Sequence, residues 1–148
     1  MKYSTVECYE GTAVPEKPRG TIRVAVVGDS TSLGQGASRS TLEFAYDHHL
    51  QFDGSKAGFW GYPFLLFQLL HQHNSTMKFQ VINFAADNFT LAENEKGKSM
   101  QNLCEYRLFK ESDPDIVISM LGGKDSTLYK NFTPDSFVDK YVKFIQEV

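Results

Sequence analysis

The chain has 148 residues, 41% of them hydrophobic and 22% charged, a composition that fits one soluble domain built around one core. Its formal charge of -3 comes from 18 acidic and 15 basic side chains scattered along the sequence, so no basic stripe marks a nucleic-acid partner. No apolar run has the length of a membrane span and the N-terminal stretch lacks the apolar centre of a secretory signal, so the expected place is intracellular, cytoplasmic by default.

Residues 1–20 carry Gly11, Pro15, Pro18 and Gly20 with little periodicity and read as an extended arm leading into a domain over 21–148. "TIRVAVVG" follows as a buried strand, its continuous β-branched run suiting a parallel sheet covered on both faces. A polar, glycine-spaced segment leads to "WGYPFLLFQLLHQH", where Pro63 stands early and Leu65, Leu66, Leu69 and Leu70 recur at helical spacing. "FQVINFA" is the second strand, and "SMQNLCEYRLF" a helix bearing Met100, Leu103, Cys104 and Leu108. "PDIVISMLG" is the third strand. The chain then reaches "TPDSFVDKYVKFIQEV", a helix with Thr133 as N-cap, Pro134 in its first turn and Asp135 placed to complement the dipole. Strand and helix alternate three times, which predicts parallel βαβ units in an α/β layered fold. In such sheets the loops at the carboxyl ends of the strands carry the chemistry: Gly28 to Ser30, Asn83 to Thr90, and Gly122 to Ser126.

Cys8 and Cys104 lie far apart with no C-x-x-C spacing and read as reduced thiols, neither a disulfide framework nor a zinc site. Sequons at Asn74, Asn88 and Asn131 read as chance matches in the absence of a secretory signal. His48 and His49, beside Asp47 and Asp53, read as a hydrated loop, and His71 and His73, two positions apart, as a solvated helix end. No metal and no cofactor is expected.

By itself Gly-Asp-Ser after a strand is a common turn or helix cap. The spacing from Gly28 to Gly34, with no Lys after it, does not meet the P-loop pattern, and G-x-G-x-x-G is absent. A hydroxyl-rich loop of Ser30, Thr31 and Ser32 with Gly34 leaves a flavodoxin-like FMN or phosphate module as a third reading.

Taken together, "VVGDSTSLGQGAS", "VINFAADNFT" and "PDIVISMLGGKDS" resemble, in order, the first three sequence blocks of the SGNH (GDSL-type) esterases and lipases, and "YPFLLFQLL" is similar to the helix after their first block. The resemblance spans about residues 22–145. It implies a three-layer flavodoxin-like sheet, incomplete after its third strand and helix, with Ser30 at the nucleophile position and its N–H facing an oxyanion. Ser30 would attack an ester carbonyl, a histidine would take its proton, and N–H donors would hold the developing charge. The resemblance also places oxyanion donors at Asn88 and Lys124, where the family has Gly and Asn. Asn tolerates a left-handed backbone and keeps its N–H. Lys is a poor geometric substitute for a fixed amide, and losing such a donor costs about 10²–10³ in kcat. Lys124 as the base for Ser30 would need a lowered pKa, against which the neighbouring Asp125 works. Asp29 and Asp125 are expected to hold their loops by accepting backbone N–H bonds.

The family's Asp-x-x-His block, which supplies the base, has no counterpart before Val148. Losing the base of a serine triad costs roughly 10⁶ in kcat. The leading expectation is therefore a degenerate SGNH-like domain serving as a structural or interaction subunit. The alternative is an active serine ester hydrolase whose histidine lies outside this chain. A protein partner or further chain is expected against "DIVISML" and the last helix, whose Phe137, Val138, Tyr141, Val142, Phe144 and Ile145 offer more apolar width than a half-sheet buries.

Overall fold

The computed structural model describes residues 2–5, 13–34, 61–73, 76–87, 89–93, 99–128 and 132–148. Its strands are β1 (Lys2–Thr5), β2 (Thr21–Gly28), β3 (Lys78–Asn83) and β4 (Ile116–Met120). Its helices are α1 (Ser30–Leu33), α2 (Tyr62–His73), α3 (Cys104–Glu111), α4 (Gly123–Leu128) and α5 (Pro134–Glu147). All pairings are parallel and the order across the sheet is β1-β3-β2-β4. The inner order β3-β2-β4 is the 2-1-3 arrangement of a flavodoxin-like α/β fold, as the alternation of strand and helix predicts.

The central strand shows why its apolar run is unbroken. Val24 and Val26 face one side of the sheet and pack with Phe79 and Val81 under Phe64 and Phe67 of α2. Ala25 and Val27 face the other side, with Ile82 and Phe84, under Tyr106, Leu108 and Phe109 of α3 and Phe144 of α5. Both faces are covered, so alternation has no polar side to show. The second core is strongly aromatic: Phe144 lies 6.2 Å from Phe109 and 6.5 Å from Tyr106 between ring centroids. Tyr106 donates to Glu147 Oε2 at 2.9 Å, and burial, reinforced by this carboxylate, pushes the phenol up to about 12.

Three expectations need correction. The stretch read as an arm belongs to the domain. Lys2–Thr5 pairs with β3 from Gln80 to Asn83, and Val14 packs against the second core. The reason is a buried arginine that composition does not reveal. Arg23, on β2, is 3% exposed and donates through Nε to Gln80 Oε1 at 2.8 Å, through one terminal nitrogen to the Pro15 carbonyl at 2.6 Å, and through the other to the Ser112 carbonyl. Gln80 in turn donates to the Glu16 carbonyl at 3.1 Å. Burial lowers the Arg23 pKa, opposed by Asp113 and Asp115.

The helix expected over "SMQNLCEYRLF" is two elements, a 3-10 turn at Met100–Asn102 and then α3. Leu103 between them is extended, with φ -87° and ψ 141°. Asn102 accepts the Ser99 N–H at 2.9 Å through its side chain, the local competition with helix that Asn offers. Finally, Cys104 at the head of α3 is disulfide-bonded and no cysteine is free among the described residues. Separation along the chain, from which reduced thiols were expected, does not fix separation in space.

Candidate functional site

Strand β2 ends at Gly28, where a side chain has no room: a Cβ would stand 2.1 Å from Ser32 Oγ and 2.9 Å from the Met120 carbonyl of β4. The chain turns there. Asp29 is buried and its Oδ1 accepts the Thr31 N–H at 2.9 Å, capping the single turn of α1. Gly34, at φ 95°, closes that turn with its N–H shared between the carbonyls of Ser30 and Thr31, each 3.1 Å away.

Two residues outside the Gly-Asp-Ser stretch fix this turn. Ser32 is fully buried, its carbonyl accepts from Asn83 Nδ2 at 2.9 Å, and its Oγ lies 3.0 Å from the Tyr62 hydroxyl. Burial raises the Tyr62 phenol, with the Ser32 bond acting against it. Asn83, the last residue of β3, also accepts the Ala85 N–H at 3.0 Å, so one buried amide ties the first loop to the second. The sequence carried a signal for Asn83, a polar residue closing an apolar strand, and none for Tyr62. Ser30 itself is half-buried, and no described residue hydrogen-bonds its hydroxyl.

The second loop stays beside the first: Phe84 N–H donates to the Val26 carbonyl at 2.8 Å and Ala86 N–H to the Gly28 carbonyl at 3.1 Å. Asn88 lies outside the described residues, as do His48 and His49.

The third loop opens at Gly122, whose φ of 110° suits glycine and whose Cβ would meet the Phe137 ring at 2.8 Å. A Cβ at Gly123 would stand 3.1 Å from Asp29 Oδ2, so the third loop's backbone lies against the first loop's carboxylate. Asp125 is fully buried and accepts the Ala92 N–H at 2.6 Å, tying loop three to loop two. Its second oxygen has no partner among the described residues. Burial raises its carboxyl pKa, against N–H bonds from Ala92, Leu91 and its own backbone and the charge of Lys140. Lys124 Nζ stands 3.3 Å from Asp87 Oδ1, so the ammonium is engaged by loop two.

Asp29, the cap of α1, Ser30, its first residue, and Lys124 and Asp125, which lie in the first turn of α4 where the sequence led to the expectation of a loop, thus stand at one rim of the sheet, the carboxyl ends of parallel strands. α2 begins at this rim, where Tyr62 meets Ser32, and its 12 residues carry it about 18 Å away. His71 and His73 fall in its last turn, close to where β3 starts at the opposite rim. Among the described residues the rim therefore holds a serine hydroxyl, three carboxylates and an ammonium, with no imidazole, and no group of His, Cys, Asp and Glu is placed to hold a metal ion. No family model matches this chain, and no curated protein or solved structure does either.

Proposed function

We propose that this is a degenerate SGNH-like domain, one that keeps the nucleophile turn of an ester hydrolase and works as a structural or interaction subunit. The observation that carries the reading is the Lys124–Asp87 pair at 3.3 Å: the residue in the position of the family's oxyanion amide is turned to a carboxylate. No described residue hydrogen-bonds the Ser30 hydroxyl as a base would, and at the same rim one oxygen of Asp29 is held by the Thr31 N–H and one of Asp125 by the Ala92 N–H. A phosphate module is poorly supported, because Asp29 already sets a negative charge at the head of α1.

The interaction role rests on an edge that no described strand covers. On the α2 side of β4, Ile116 and Met120 are exposed, and on the opposite side Val138, Val142 and Ile145 of α5 stand 55%, 47% and 59% exposed. An occupant that meets both is a partner protein adding a strand to β4, flanked by its own apolar helices. A second reading, an active esterase with its histidine elsewhere, draws support from the half-buried Ser30 in a turn pinned by Asn83 and Tyr62.

Turnover of p-nitrophenyl acetate, with Ser30→Ala as control and a fluorophosphonate probe for labelling, separates the two. The degenerate reading expects equal, background rates in both proteins and no labelling of Ser30. Turnover or labelling that disappears in Ser30→Ala overturns it.

A further inference from the structure

A small cleft opens between α5 and the residues around Leu91 and Met100. Its volume is about 100 Å³, well under the about 300–1,000 Å³ of pockets that take drug-sized molecules, so it suits a ligand of a few heavy atoms. Both walls are fixed before anything enters. On one side Phe144 is held in the aromatic core against Phe109 and Tyr106. On the other the Met100 N–H donates to the Thr90 carbonyl at 2.8 Å, Thr90 donates to the Ala92 carbonyl at 3.1 Å, and the Ala92 N–H is held by Asp125. Leu91, Met100 and Phe144 are all buried side chains, and they make the inner lining apolar.

The outer lining is charged. Lys140 and Lys143, both exposed, stand on the flank of α5 that also carries Glu147. Glu147 accepts from Tyr106 and lies 4.0 Å from Lys110, so that flank is turned towards α3. Glu93 is the single carboxylate in the described lining. Among the described residues Lys17, Lys110 and Lys124 each lie within 4.0 Å of a carboxylate, whereas neither Lys140 nor Lys143 does, Glu93 included. Two unpaired ammoniums above an apolar floor complement an organic anion with a short apolar tail, because charge-assisted hydrogen bonds to the head add to burial of the tail. Glu93 offsets one of the two positive charges, which favours a single negative charge over two.

We infer that this cleft binds a small aliphatic monocarboxylate, its head between Lys140 and Lys143 and its tail on Leu91, Met100 and Phe144. Binding makes and breaks no covalent bond. It does not depend on whether Ser30 is reactive.

The test is an NMR titration of the full chain with sodium butyrate at constant ionic strength, read at the methyl groups of Leu91 and Met100. Butyramide serves as the uncharged match in size, and sulfate as a dianion without a tail. Butyrate should shift both methyls and saturate, with butyramide and sulfate each binding at least about tenfold more weakly. Replacing Lys140→Gln together with Lys143→Gln, at exposed positions, should weaken butyrate by at least about tenfold, while Lys78→Gln, an exposed lysine at the opposite rim, leaves it unchanged. Shifts that do not saturate, butyramide or sulfate binding as tightly as butyrate, or an equal response in the double variant and in Lys78→Gln overturns the inference.

Discussion

Replacing Arg23 by Met keeps most of the aliphatic stem and deletes the guanidinium at the base of the sheet. Three acceptors lose their donor: Gln80 Oε1, the Ser112 carbonyl and the Pro15 carbonyl. Gln80 is 1% and Ser112 0% exposed, so water does not readily replace the lost donor there. Hydrogen bonds to a charged group contribute about 1.5–3 kcal/mol each, and removing one partner of a buried charged arrangement costs about 3–5 kcal/mol. We expect about 3–5 kcal/mol for Arg23→Met, the lower end if the half-buried Pro15 carbonyl finds water. Against a total of about 5–15 kcal/mol for a single domain, that is a large share. In urea, with a slope of about 1–3 kcal/mol per molar, the unfolding midpoint falls by at least about 1 M. Lys17→Met is the control, since its 2.8 Å pair with Asp115 is partly exposed and solvent-screened surface pairs contribute little. If both variants shift the midpoint equally, Arg23 is not the anchor that joins the residues around Pro15 to β2, β3 and the end of α3.

Asp125 should leave a mark on the pH dependence of stability. Its folded pKa is raised above the ordinary 3.8 by burial, so its contribution is full below 3.8 and is lost as pH rises through the folded value. Asp125→Asn should flatten urea midpoints in the window above 3.8, and unchanged pH dependence would count against the buried acid. The uncovered edge makes its own prediction by hydrogen exchange on the purified chain. Amides of residues 115–121 should exchange faster than those of 22–27, since among the described residues β4 has a strand on one side and β2 on both. Equal protection in a dispersed monomer would show that no partner is needed.

The layered fold was legible because its signals are local and repeated. The unbroken run in β2, the helical spacing in α2, and Thr133 with Pro134 at the head of α5 each report on their own segment. Ser30, Lys124 and Asp125 were legible as residues just past strand ends, since parallel strands deliver their carboxyl ends to one rim, although they begin α1 and α4 where loops were expected. What escaped reading depends on distant partners. Tyr62 looks like any first-turn aromatic until it meets Ser32, and Arg23 looks like an exposed residue at the start of a strand until Pro15, Gln80 and Ser112 surround it. The break at Leu103 follows from one side-chain bond, Asn102 to Ser99, which outweighs the helical spacing around it.

The position of β1 has a consequence for the order in which the molecule assembles. Lys2 pairs with Gln80 and Thr5 with Asn83, so β1 is joined to the sheet by contacts spanning more than half of this sequence. Its partner among the described residues is β3, so on emerging from the ribosome it waits for that pairing until β3 has been synthesised. Closing so large a loop costs entropy before any pairing repays it, and topologies rich in such contacts fold slowly. β1 therefore seats only after β3 has formed, and until it does the β3 edge that it covers stays open to any other extended chain nearby.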